Sequence, residues 1–219
     1  MEEKLNWLDQ EYLSAYDRKE VDSEIHLQKP FEQMHDITKP YSIASNESTE
    51  DNTYLSYNKV IGTSLDEKLY LAFQILDYAL LSAPGAPITK ALLEAGIGKD
   101  ISGSYDSSTY QPIFSIVAKN ANEEQKAEFV KVIEDTLKAI VENGMDKKAL
   151  EAGINYHEFR YREADFGGYP KGLMYGLQIF DSWLYDDNAA FLLLETQDAM
   201  DELYKKAEGS YFEQLIKSV

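Results

Sequence analysis

Cysteine is absent from the 219 residues. That excludes disulfides, thiolate metal sites and cysteine nucleophiles, and it leads us to expect a cytoplasmic protein. Histidine is nearly absent too, with only His26, His35 and His157. There is no HxxEH or HExxH, so the two imidazoles four residues apart that seat a hydrolytic zinc are missing. Positive charge is scarce: 21 Lys and Arg stand against 39 Asp and Glu, a formal net charge of −18. Phosphate binding needs clustered cations, so neither nucleic acid nor an anionic membrane is an expected partner. A basic peptide has the complementary charge. No apolar run approaches the ~20 residues of a bilayer span. The densest, residues 69–81, is interrupted by Gln74 and Asp77. The N-terminal MEEKLNWLDQ is acidic and lacks the apolar centre of a secretory leader.

What remains is a globular composition, 44% hydrophobic and 27% charged. A chain of this length buries roughly 70% of its unfolded surface and needs no staples. The 3/4 spacing of Leu5, Leu8, Tyr12 and Leu13 predicts a helix over residues 3–16. Residues 17–52 are polar, hold Pro30 and Pro40, and read as a linker with extended pieces. A connection that long is unusual inside one compact domain, so the first helix is expected to belong to a preceding domain.

From residue 53 the pattern tightens. TYLSYNKVI (53–61) predicts a strand. Ser64 and Glu67 predict a capping box for a helix burying Leu65, Leu69, Phe73, Leu76 and Leu80. That helix breaks at Ser82-Ala83-Pro84-Gly85. Pro87 opens a short helix, and Gly96 closes it as a left-handed cap. Residues 100–106 and 110–119 predict two strands. Asn122 with Gln125 caps an amphipathic helix that Gly144 ends, and Asp146 caps another over residues 147–163. Residues 165–169 read as a loop. Pro170 opens a helix to residue 185 with Leu173, Leu177, Phe180 and Leu184 inward. Residues 196–207, and a second capping box of Ser210 and Glu213, start the last two helices. This order predicts an α+β fold, with antiparallel strands and helices layered on one face.

The chemistry-bearing groups read mostly as structural. His157 has Gly153 and Tyr161 at the spacings where a zinc partner would stand, so it is expected to be a structural or surface residue. His26 and His35 lie in the linker without supporting groups. Asp186-Asp187 and Glu50-Asp51 are adjacent acids, expected to cap helices or carry surface charge. The GIGKD of residues 96–100 lacks the phosphate-loop pattern and precedes a strand rather than a helix. Of the sixteen tyrosines, Tyr105, Tyr110, Tyr156, Tyr161, Tyr169 and Tyr175 are candidates for an amphipathic peptide-binding wall or for half-buried packing.

The segment LLSAPGAPITKALLEAGIGKDISGSY (80–105), preceded by NTYLSYNKVIG and followed by FSIVAKNANEEQKAEFVKVIEDTL, resembles the second, non-catalytic domain of insulinase-family zinc metallopeptidases. It is most similar to the presequence-protease and falcilysin branch, and the resemblance covers essentially the whole chain. It implies a six-stranded, mostly antiparallel sheet packed with helices on one face, a half-domain of the LuxS/MPP-like metallohydrolase type. It divides the chain into a terminal helix of the preceding domain (1–16), an interdomain linker (17–51) and the non-catalytic domain (52–219). It implies no cofactor here and zinc in the parent enzyme, held by another domain. The implied partners are the remaining domains and unfolded peptides, with no nucleic acid and no membrane. It also implies a substrate exosite at Gly85 and at Ile101, Ser102 and Gly103, which we extend to Ser104 and Tyr105. A strand edge of small residues gives a peptide backbone room to add as a further strand. The alternative from another class is a free-standing acidic scaffold that binds protein partners.

Overall fold

A computed structural model describes residues 1–164 and 166–219; Asp165, at the start of the expected loop, lies outside the described residues. Three strands form one antiparallel sheet in the order β1-β3-β2: β1 (Thr53–Val60), β2 (Asp100–Asp106) and β3 (Ile113–Ala121). The helices are α1 (Glu2–Glu11), α2 (Glu67–Asp77), α3 (Pro87–Glu94), α4 (Lys126–Asn143), α5 (Lys147–Glu163), α6 (Lys171–Trp183), α7 (Gln197–Ala207) and α8 (Tyr211–Ser218). The architecture is α+β, as the element order predicts. The count of six strands is corrected to three among the described residues. Everything after β3 has helical periodicity, so no further segment carries the alternation a strand needs.

The sheet is covered on one face. Leu55 of β1 and Phe114, Ile116 and Ala118 of β3 are buried, with Ile101 and Tyr105 of β2 packed beside them. The core continues through Phe73, Ile75 and Leu76 of α2, Phe129 and Ile133 of α4, Leu150 and Ile154 of α5, Leu203 of α7 and Phe212 of α8. The opposite face is more exposed and mixed in character, with Val60 and Tyr54 beside a polar cluster. There Ser115 and Ser56 donate their hydroxyls to Asn58 Oδ1 at 2.8 and 3.1 Å.

Local chemistry differs from expectation in two caps. Ser64 does not cap α2: it is fully buried, and its N–H donates to the Tyr110 carbonyl at 2.9 Å. Asp66 caps instead, accepting from the Leu69 N–H at 3.0 Å, because a carboxylate two residues nearer reaches the free amides. Glu213 likewise leaves the Ser210 box. It is buried and accepts from the Met145 N–H at 2.8 Å, tying α8 to the α4–α5 turn. The Asn122–Gln125 box forms as expected. Gly96 (φ +69°) and Gly144 (φ +87°) both take the positive φ expected where their helices stop.

Two helices leave apolar residues in solvent. α1 buries none of its residues, so Leu5, Leu8, Tyr12 and Leu13 are all exposed. The inward face expected for α6 is corrected: Leu173, Leu177, Phe180 and Leu184 all point into solvent. Between α1 and β1 the chain is extended and touches the domain at a few ties. The Gln28 N–H donates to Gln111 Oε1 at 2.7 Å, Lys126 pairs with Asp36, and the Tyr41 ring meets Tyr54 edge-on.

Candidate functional site

α2 does not stop cleanly. Its last turn widens into a π-turn, Tyr78–Ser82, closed by the Ala83 N–H donating to the Tyr78 carbonyl at 2.8 Å. The Thr89 hydroxyl takes up the freed Leu81 carbonyl at 2.8 Å. This turn presses on β2. A Cβ at Gly103 would overlap the end of the Leu81 side chain and lie 2.9 Å from Asp77 Oδ1. Gly103 is therefore glycine because helix and strand are in contact there. Gly85, with φ +75° and open space around it, serves the turn into α3.

β2 is an edge strand, and its register with β3 shows which of its groups are free. The Ile61 N–H donates to the Pro112 carbonyl at 2.8 Å, so that carbonyl points toward β1. Alternation along the strand then turns the amides of Phe114 and Ile116 toward β1 and those of Ile113, Ser115 and Val117 toward β2. Their partners are Asp106, Ser104 and Ser102. The backbone groups of Ile101, Gly103 and Tyr105 are left facing the open edge, which no strand pairs with among the described residues. Of the expected exosite residues, these three present backbone to that edge. Ser102 and Ser104 hold the ladder, and Gly85 stands apart from it.

Beside Gly103 the core opens into a cleft of about 340 Å³, lined by Gln74, Asp77, Tyr105, His157, Arg160, Tyr161, Phe166, Tyr175 and Gln178. Burial raises the Asp77 carboxyl to about 6, and Asp77 Oδ1 has no hydrogen-bond partner. The Tyr105 hydroxyl is also buried without a partner, and burial raises its pKa. Tyr161 donates to Gln74 Oε1 at 3.1 Å. Sequence reasoning noted Asp77 only as a break in an apolar run. That break was the available signal, since a carboxylate inside such a run must either point outward or be buried. The expected tyrosine wall is divided. Tyr105, Tyr161 and Tyr175 line the cleft, Tyr156 stacks on Tyr78 at 5.0 Å and Tyr110 on Tyr185 at 4.2 Å, and Tyr169 is exposed.

Asp77 gives the fold a signed pH dependence. Unfolded, its carboxyl titrates near 3.8; folded, it keeps its proton up to about pH 6. Between those values the folded state binds more protons, so this contribution to stability falls as pH rises. Asp181 acts in the same direction, raised to about 6 by burial and then by Asp106. His157, lowered to about 4 by burial, acts oppositely and costs stability as pH falls below 6.5. Asp77→Asn is expected to raise Tm at pH 7 and to change it little at pH 4. Equal shifts at both pH values in thermal melts would refute the assignment.

His157 cannot serve a metal. Its Nε2 donates to the Gln74 carbonyl at 3.0 Å, joining α5 to α2. At position 153, where a second imidazole would be needed, a Cβ would lie 3.2 Å from the Ile75 carbonyl oxygen. Helix packing fills that space. No group of three His, Asp or Glu among the described residues could hold a metal ion, and no described helix is long and apolar enough to cross a membrane. The adjacent acids have structural partners: Asp186 caps a turn at the Asn188 N–H (2.9 Å), and Asp51 meets Lys99 at 2.7 Å.

The described residues form a helix-backed antiparallel sheet of the α+β class. Comparison with known proteins gives the family. Residues 2–156 match the peptidase M16 inactive domain. Protein HypA of Clostridium perfringens is 44% identical over 99% of this chain, and presequence protease 1 of Arabidopsis thaliana, chloroplastic/mitochondrial, is 34% identical over 75%. The chain spans 22% of the first and 15% of the second. The inactive peptidase domain of a Bordetella parapertussis protein shares the fold at TM-score 0.59 and 9% identity, covering 75% of this chain and 84% of that one. The chain belongs to the peptidase M16 inactive-domain family and is a non-catalytic domain of the insulinase type, related to the presequence proteases.

Proposed function

We propose that this domain forms one wall of the peptide chamber of a larger zinc peptidase, and that the open edge of β2 receives an extended substrate segment. The observation that carries this reading is the free edge itself, with the backbone of Ile101, Gly103 and Tyr105 directed outward. An edge of this kind binds through main-chain hydrogen bonds and is indifferent to side-chain sequence, which suits a chamber for unfolded peptides. The charge of −18 favours basic ones. Zinc and its catalytic base would come from another domain of the parent, because the histidines here do not fit a metal. The chain then divides as a helix of the preceding domain (1–16), a linker (17–51) and the chamber domain (52–219). The fully exposed α1 supports that division. We place the parent in the cytoplasm on the cysteine-free composition.

The test is a titration with a fluorescent, basic, unstructured peptide. Ile101→Pro removes an outward amide and leaves the ladder to β3 intact, a substitution that edge strands accept. We expect saturable binding that weakens at least tenfold in Ile101→Pro and falls as salt rises. Unchanged affinity in a folded Ile101→Pro variant would remove the edge from the mechanism.

A further inference from the structure

We infer that the outer face of α6 is the seat of a helix from the remainder of the parent polypeptide. This rests on the reading of the chain as one domain of a longer protein.

The helix is reversed in character. Its polar residues point inward: Gln178 donates to the Leu193 carbonyl at 2.8 Å, and the Ser182 hydroxyl to the Ala189 carbonyl at 2.7 Å. Most of its large apolar residues point outward, while Met174 and Ile179 are half-buried. Leu173 is 52% and Leu184 64% exposed, with Leu177, Phe180 and Trp183 between them, and Phe180 stacks on Trp183 at 5.9 Å. Ser182 is the only residue of α6 that is buried. An apolar helix face is normally covered, and a continuous exposed apolar patch of this kind marks a contact.

The same face carries Gly172 and Gly176, one turn apart, with nothing within 4 Å of where their Cβ atoms would stand. Glycine weakens a helix interior, and neither position needs it for a turn or for packing inside this domain. Together they lower the helix surface, so the backbone of a second helix can come close.

Other occupants fit less well. A bilayer surface is disfavoured by the net charge, and α6 carries only Lys171 as a flanking cation. A second copy would bring together two chains of charge −18. The relative aligned along 99% of this chain continues far beyond it, this chain being 22% of its length, and so offers the missing cover.

The experiment compares the 219-residue chain with the full-length parent polypeptide by carbene labelling and mass spectrometry of residues 171–184. We expect labelling several-fold lower in the parent. Gly176→Leu is expected to leave the Tm of the short chain unchanged or raised, since the space is open, and to lower that of the parent by blocking close approach. Equal labelling in both proteins overturns the inference. So does a short chain that dimerises through this face, becomes monomeric in Leu177→Lys, and shows no protection in the parent. Chelator-sensitive peptide cleavage by a parent with unprotected α6 would sink this inference and leave the chamber reading standing. Protected α6 in a parent without peptidase activity would do the reverse.

Discussion

Gly103→Val is expected to destabilise the domain by about 3 kcal/mol, within the usual range for overpacking a well-filled site. The first added atom would overlap the Leu81 side chain, with Asp77 Oδ1 2.9 Å and Leu81 Cβ 3.1 Å away. Leu81 is 5% exposed and held in the π-turn, so it cannot swing into solvent. Asp77 lines the cleft and can yield toward it, so the Leu81 contact carries most of the expected loss. The better strand propensity of valine recovers about 1 kcal/mol at most. Thermal or urea melts would measure the loss. Leu81→Ala in the Gly103→Ala background should restore part of it, giving a coupling of about 1 kcal/mol or more in a double-mutant cycle. A Gly103→Val protein that melts like the parent sequence would show that the helix–strand contact is loose. One consequence concerns design: a substitution at Gly103 reports on packing, so the edge must be probed through Ile101→Pro.

Phe212→Ala is expected to cost about 3–5 kcal/mol, the range for removing a buried phenyl ring, and to lower Tm on the order of 10 °C in a domain of this size. Phe212 is fully buried on the first turn of α8, and α8 packs against α4 and α7. The neighbouring Glu213 is fixed by the Met145 N–H and Lys147, so the helix cannot shift to close the cavity. The family match ends at residue 156, yet Met200, Leu203 and Phe212 lie in the same core as Phe129 and Ile133. A large loss would establish the last two helices as part of the folding unit. A loss under 1 kcal/mol would mark them as an appendage.

Much of the architecture was legible in the chain. Pro87 and Gly96 bracket α3, Asp146 starts α5, Gly144 ends α4, and residues Ile113 to Val117, apolar on both faces apart from Ser115, mark β3 as interior to the sheet, all of it local chemistry acting within a few residues. The proposed exosite positions were legible only through the family resemblance. Their roles separate on the register: Ile101, Gly103 and Tyr105 face the edge because Pro112 faces β1, a fact about a strand paired on its other side. In both failed caps another partner wins. Ser64 and Glu213 carry the right local pattern, but Asp66 takes the cap expected of Ser64, and the Met145 N–H draws the Glu213 carboxylate away from its own helix. α6 misled for a related reason. Its apolar spacing correctly says that a surface must be covered, and periodicity cannot say by what.

The sequence alone determined the class of the domain, the absence of a zinc motif, the acidic character, and where each helix and strand begins and ends to within a few residues. Those properties follow from composition and from interactions between near neighbours. The tertiary structure decided that three strands make up the sheet among the described residues, that β2 is an open edge, that Gly103 is a contact point, and that Asp77 is half-buried beside it. It also decided that α6 turns its apolar face outward. Each of these depends on which surfaces meet across long stretches of chain, and a one-dimensional pattern carries no record of that pairing.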